Sequence, residues 1–377
     1  MDRREFLIAA GAAGAALALP VRGEAQGLPP GRPQSAPSIW VDAMGGLDGF
    51  DEPSPGKYVP GPRLLAAIRE RRIDVINATI GEVGNGPDRF RSGVEAIASW
   101  DRLLGEHRQH LAKIDSVADI RAARTGGKVG IIYNFQDTTA LEGDSARVAT
   151  FATLGIRILQ LTYNKRNLAG DGCLERSNAG LSDFGRDVIA KINEAKLLLD
   201  LSHAGQRTIA EGIAESKAPP AITHSGCRDL VDLPRNTFDR EMRALADKGG
   251  VFGIYLMPFL RAKGAPGTED LLRHLDHAVK VCGEDHVGIG TDNGLLGYTI
   301  DDKMRAEHRK FFEDRKAKGI AAPGEAADVL NLVEGYNDAA RFDRIAADLK
   351  RRGWSSARVD KVLGGNFVRL FEEVWGG

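Results

Sequence analysis

Two histidines carry the chemistry suggested by this sequence: His203, in Asp200-Leu201-Ser202-His203, and His224, in Thr223-His224-Ser225. Each closes a short apolar run, Leu197–Leu201 or Ala221–Thr223, so each stands where a strand ends. A neutral imidazole is a common Zn²⁺ ligand, and two at the ends of neighbouring strands can share one ion. Asp292 follows a further run, Val287–Gly290, and suits either a third ligand or the base that handles a water proton. One such histidine alone serves equally well as a satisfied structural residue; the pair with the aspartate points to a site. Gln136 and Tyr163 follow two more runs, in Asn134-Phe135-Gln136 and Thr162-Tyr163-Asn164. A serine-hydrolase reading has no G-x-S-x-G to rest on. Gly288-Ile289-Gly290 is a G-x-G without a dinucleotide continuation, better explained by tight packing at the end of the last strand.

These residues need a scaffold that gathers strand ends. Eight apolar runs are spaced along the chain: Ile39–Asp42, Val75–Ala78, Val129–Tyr133, Ile158–Thr162, Leu197–Leu201, Ala221–Thr223, Val251–Tyr255 and Val287–Gly290. Most are too uniformly apolar to have one wet face, as expected of parallel strands covered by helices. Amphipathic stretches lie between them, among them Gly93–Arg108, Asp183–Ala195 and Thr268–Val281. The alternation predicts an α/β protein with a single (β/α)8 TIM-type barrel over 38–377, whose site collects at the C-terminal ends of the strands. A doubly wound sheet is disfavoured because no Gly-rich phosphate turn follows the first run. The charged stretch Asp301–Arg341 then reads as a helical insertion after strand eight, a lid or a surface helix pair.

Composition narrows the partners. Lys plus Arg (51) nearly balances Asp plus Glu (52), so no global field draws the chain to nucleic acid, and a small molecule is the expected partner. Residues 1–25 read as a signal peptide: Arg3-Arg4 precede Phe6-Leu7, an Ala/Gly/Leu run follows, and Gly23 and Ala25 offer a small-x-small cleavage site. The paired arginines fit the twin-arginine type, which implies a periplasmic or secreted protein. The apolar run is shorter than the ~20 residues of a spanning helix, so no membrane span is expected in the mature chain. Residues 26–37 hold Pro29, Pro30, Pro33 and Pro37 and read as a linker. Cys173, Cys227 and Cys282 define no disulfide framework and read as buried thiols, with Cys227 near enough to His224 to watch.

The chain from about Ile39 onward resembles the membrane dipeptidase (renal dipeptidase) family of metal-dependent amidohydrolase barrels. The matching stretches are Leu199-Asp200-Leu201-Ser202-His203, Ile222-Thr223-His224-Ser225, Pro234-Arg235-Asn236, Asp285-His286-Val287-Gly288-Ile289-Gly290-Thr291-Asp292 and Gly364-Gly365-Asn366-Phe367-Val368-Arg369. Each is modest alone; their order along nearly the whole chain makes the match specific. The resemblance implies a zinc enzyme acting on dipeptides or related amino-acid derivatives. It makes His203 and His224 ligands of the second zinc, Arg235 the holder of the substrate carboxylate, and Asp292 a general acid/base or substrate-amine partner. A homodimer is left open.

The departures from the family are as informative. Where the family's first strand ends in Asp-x-His-x-Asp, this chain reads Asp42-Ala43-Met44-Gly45-Gly46. A thioether is a poor Zn²⁺ ligand and glycine offers no side chain, so Met44 and Gly46 do not replace the first metal's ligands. The bridging glutamate falls at the neutral Gln136, at most a weak ligand, and a substrate-contacting histidine falls at Tyr163. Without an anionic bridge two dications are not held side by side. The expectation is a dipeptidase-type hydrolase with at most one zinc. Two alternatives stand beside it: metal-poor acid–base chemistry on a peptide or amino-acid derivative by Tyr163, His203, His224 and Asp292, and a non-catalytic barrel that keeps Arg235 to bind a carboxylate.

Overall fold

All eight expected runs are strands in the computed structural model, which describes residues 31–32 and 38–376. They are β1 (Val41–Asp42), β2 (Val75–Thr79), β3 (Val129–Phe135), β4 (Ile156–Gln160), β5 (Leu198–Asp200), β6 (Ala221–Ser225), β7 (Val251–Ile254) and β8 (Val287–Ile289). They pair in parallel and in chain order. β8 returns to β1 through the Ala43 amide, which donates to the Ile289 carbonyl at 2.9 Å, and through parallel pairing of Gly45–Gly46 with Asn293–Gly294. The result is a TIM-type (β/α)8 barrel with helices outside, including Arg89–Glu106, Asp183–Glu194, Gln206–Glu215 and Thr268–Cys282. The expected signal segment 1–25 lies outside the described residues, as does the expected linker except for Gly31 and Arg32. No helix among the described residues is long and apolar enough to cross a membrane.

Strand periodicity decides what lines the barrel. One inward residue from each of β1 to β7, Val41, Val75, Ile132, Ile158, Leu198, Ala221 and Val251, joins Phe367, Leu370, Phe371 and Val374 of the C-terminal helix Asn366–Trp375 in one buried apolar cluster. Two residues further along five of the strands, on the same face, stand Asn77, Asn134, Gln160, Asp200 and Thr223, all fully buried. The interior therefore runs from a dry floor to a polar mouth. Gly288 and Gly290 bear out the tight-packing explanation of the G-x-G: an added Cβ would come within 2.3 Å of the Phe367 ring at the first and 2.2 Å of the Thr223 carbonyl at the second.

Three details differ from the sequence expectation. β4 begins and ends two residues earlier, because Ile156 already pairs with Tyr133 and the Leu161 amide turns to the Asp200 carbonyl. Leu111–Ile114 is an additional strand parallel to β3, too short and too polar at Lys113 to stand out. Phe50–Ser54 and Lys57–Pro60 form an antiparallel hairpin, and its prolines and charges give no apolar run in the sequence. The charged insertion contains one long helix, Asp302–Ala317, with irregular chain from Lys318 to Ala340 before the helix Arg341–Arg351.

Candidate functional site

The histidine pair sits at the polar mouth, on the ends of β5 and β6. His203 Nε2 and His224 Nε2 are 2.9 Å apart. Their other ring nitrogens are both committed. Asp200 accepts from the Ser202 and Thr223 amides and from both hydroxyls, the Thr223 hydroxyl at 2.6 Å, so that hydroxyl accepts in turn from His224 Nδ1 at 2.8 Å. The Asn164 amide nitrogen donates to the Ile320 carbonyl at 2.8 Å, which turns its oxygen to accept from His203 Nδ1 at 2.6 Å. With both Nδ1 atoms protonated, the two Nε2 lone pairs face one another. Burial first, and the nearby Arg235 charge second, hold both imidazoles well below their ordinary pKa, so both rings are neutral.

Two converging lone pairs repel unless a cation lies between them. Two Zn–N bonds of about 2.0–2.1 Å, set between a right angle and the tetrahedral angle, span roughly 3 Å between nitrogens. The buried carboxylate–hydroxyl–imidazole chain from Asp200 is the kind of outer support that fixes the tautomer of a ligating histidine. The residues present therefore fit one borderline-soft metal ion. Among the described residues no group of three or more His, Cys, Asp or Glu side chains is gathered to hold a metal, so the histidine pair is the centre of the candidate site.

The first-strand half of the mouth is built differently. Met44 is 2% exposed, and its sulfur takes contacts from Gln136 Nε2 (3.3 Å), Thr79 Oγ1 (3.6 Å) and Asn134 Nδ2 (3.8 Å). A thioether is a weak acceptor, so three neutral donors directed at it make a packed plug. Asp42 turns away to β8, accepting from the Thr291 amide (2.7 Å) and hydroxyl (2.6 Å), and burial pushes its carboxyl up to about 7. Gly46 is spent on backbone pairing with Gly294.

Around the pair stand groups with unused polar capacity. Arg235 is 3% exposed; its Nη2 is buried without a hydrogen-bond partner, and its guanidinium lies 5.5 Å from the Tyr255 ring centre and 5.9 Å from that of Phe259. A buried cation without a carboxylate of its own is costly unless a ligand supplies the anion. Asp292 is half-buried, and burial raises its carboxyl to about 6 against the lowering pull of Arg235 and Arg315. Both His203 (φ 62°) and Asp292 (φ 56°) adopt left-handed backbone, a strain of order 1–3 kcal/mol that non-glycine residues keep only where the surroundings enforce it. The Cys173 amide holds the His203 carbonyl at 2.7 Å and the Asp292 amide holds the Met44 carbonyl at 2.7 Å.

Tyr163 stacks on His203, centroids 4.2 Å apart and planes 24° apart. Arg315, from the inserted helix, donates to the Tyr163 hydroxyl at 3.2 Å and makes a two-point ion pair with Glu325 at 2.7 and 2.9 Å. Sequence reasoning missed Arg315 altogether, since a single arginine in a charged helix carries no signal. It quoted Asn164, Asp200 and Thr223 without giving them a role. It also watched the wrong thiol: Cys227 is buried against His274, whereas Cys173 contacts Asn164 at 3.4 Å beside the pair.

The profile of the membrane dipeptidase family (peptidase family M19) matches residues 68–301 and 320–375, passing over the whole inserted helix Asp302–Ala317. An amidohydrolase from Pseudomonas aeruginosa has a similar solved structure, 32% identical, with a TM-score of 0.76 over 90% of this chain and 97% of its own. An uncharacterised Klebsiella pneumoniae protein from the pqqA 5′ region is 26% identical over 74% of this chain and 95% of its own length. The dipeptidase tcpJ of Claviceps purpurea is 24% identical over 76% of this chain and 60% of its own length. With barrel, site and profile in agreement over most of its length, the chain belongs to the membrane dipeptidase family, peptidase family M19.

Proposed function

We propose that this hydrolase cleaves small peptides with a free C-terminal carboxylate, using at most one zinc ion held by His203 and His224. The observation that carries the substrate class is Arg235, a buried guanidinium with an unpartnered N–H beside the histidine pair. A substrate carboxylate there supplies the missing acceptor and offsets the cost of burying the charge. Asp292 is the proton carrier: a carboxyl raised to about 6 exists in both forms near neutrality, so it takes a proton from the attacking water and delivers it to the departing amine nitrogen. The water oxygen bonds to the carbonyl carbon, the C–N bond breaks, and an acid and an amine leave. The metal, when bound, lowers the pKa of a water and polarises the carbonyl. Tyr163 lines the same mouth, against His203. The limit of one metal is supported by Met44 and Gly46 at the first metal's positions and by the neutral Gln136 at the bridge.

Export by the twin-arginine route to the periplasm or beyond is part of the proposal, supported by Arg3-Arg4-Glu5-Phe6-Leu7 and by Gly23 and Ala25 before Gln26. The test is turnover by the zinc-replete mature chain of a dipeptide panel presented with free and with amidated C-termini. Release of amino acids from the free-carboxylate members alone is expected. Equal cleavage of both sets removes the role given to Arg235, and no cleavage of either removes the dipeptidase reading.

A further inference from the structure

We infer that Arg315 is a positioning residue, carried in by the segment 302–326, that makes the Tyr163 hydroxyl a hydrogen-bond donor to the scissile carbonyl oxygen. The inference rests on the dipeptidase reading and adds to it a residue from a helix that the family profile passes over. An arginine has only donors, so at 3.2 Å the Tyr163 oxygen accepts from Arg315 and its own hydrogen points elsewhere. Tyr163 is 7% exposed and stacked on His203, so the free O–H is presented at the mouth beside the histidine pair.

Arg315 is itself immobilised. Its side chain is 12% exposed, its fork is matched to a Glu325 carboxylate that is 4% exposed, and a third N–H meets the Ile320 carbonyl at 3.2 Å. A donor locked before the reaction begins is the arrangement that stabilises a developing oxyanion without reorganisation. The same segment touches the site a second time, because Ile320 accepts from Asn164, whose oxygen fixes His203 Nδ1. Both residues that orient His203, the stacked Tyr163 and the hydrogen-bonded Asn164, are thus held from the insertion, which behaves as a lid that completes the site when docked.

The experiment is a double-mutant cycle on the mature chain with a cleavable dipeptide, using Tyr163→Phe, Arg315→Gln and both together, with thermal melting to confirm folding. Tyr163→Phe loses about 100-fold in kcat with KM changed little, the scale of one lost oxyanion donor. Arg315→Gln loses on the order of tenfold, and the double variant is no slower than Tyr163→Phe. Arg315→Lys, which keeps one donor, recovers part of the loss. If Arg315→Gln keeps its kcat, or costs the same factor in the Tyr163→Phe background as in the wild type, the inference falls while the dipeptidase reading stands. A wild-type chain that cleaves no dipeptide overturns that reading, and this inference with it.

Discussion

The two halves of the barrel mouth have the same architecture and opposite chemistry. At the ends of β5 and β6, a buried carboxylate, a hydroxyl and an amide fix the two imidazoles so that their remaining lone pairs converge at 2.9 Å. At the ends of β1, β2 and β3, a thioether fills the space and neutral donors turn inward to it. In one half acceptors converge, the arrangement a cation requires; in the other the groups that converge on the thioether are neutral donors. Polar residues at a barrel mouth are therefore insufficient to signal a metal: what distinguishes the halves is whether acceptors or donors converge.

The comparison predicts that function and stability separate between the halves. The largest effect belongs to the second: His203→Ala removes a lone pair from the pair and lowers kcat/KM by more than about 100-fold, above what outer-shell losses cost. Its folding stability changes little, which side-by-side kinetics and melting curves read directly. Arg235→Met comes next. The loss of a charge-assisted contact, about 1.5–3 kcal/mol, lowers kcat/KM about 10–100-fold for a free-carboxylate dipeptide and leaves its amide unaffected. In the first half the pattern inverts: Met44→Ala empties a packed site and destabilises by about 2–5 kcal/mol in denaturant titration, with activity at moderate temperature kept within a few-fold. The smallest effect is in pH. A base with its pKa raised to about 6 is disabled by protonation below that value, so kcat/KM falls about tenfold per unit on the acid side and levels above it. Asp292→Asn loses that limb, and a profile unchanged by the substitution assigns the proton to another group.

The fold was legible because parallel barrel strands are apolar on both faces, and all eight stood out as runs bounded by polar ends. The site residues at the ends of those runs were legible for the same reason: once the barrel is recognised, its C-terminal strand ends must converge. The family likeness added Arg235 and gave meaning to Met44, Gly46 and Gln136. Contacts set by tertiary approach alone were not legible. Arg315 reaches Tyr163 across 152 positions of sequence, and Ile320 reaches Asn164 across 156, through a backbone carbonyl that has no side-chain signature. The direction of the Gln136 amide was equally hidden, because it depends on the Met44 sulfur filling the space beside it.

The central claim is that only the β5–β6 half holds metal. Its most direct test is the zinc content of the purified mature chain beside that of the Met44→His/Gly46→Asp/Gln136→Glu variant, both loaded with zinc and freed of loosely bound ion. The account predicts about one zinc per wild-type chain, none after His203→Ala, and about two in the triple variant, since an anionic bridge and two ligands then return to the first half. Two zinc ions per wild-type chain, or one that survives His203→Ala, would contradict it.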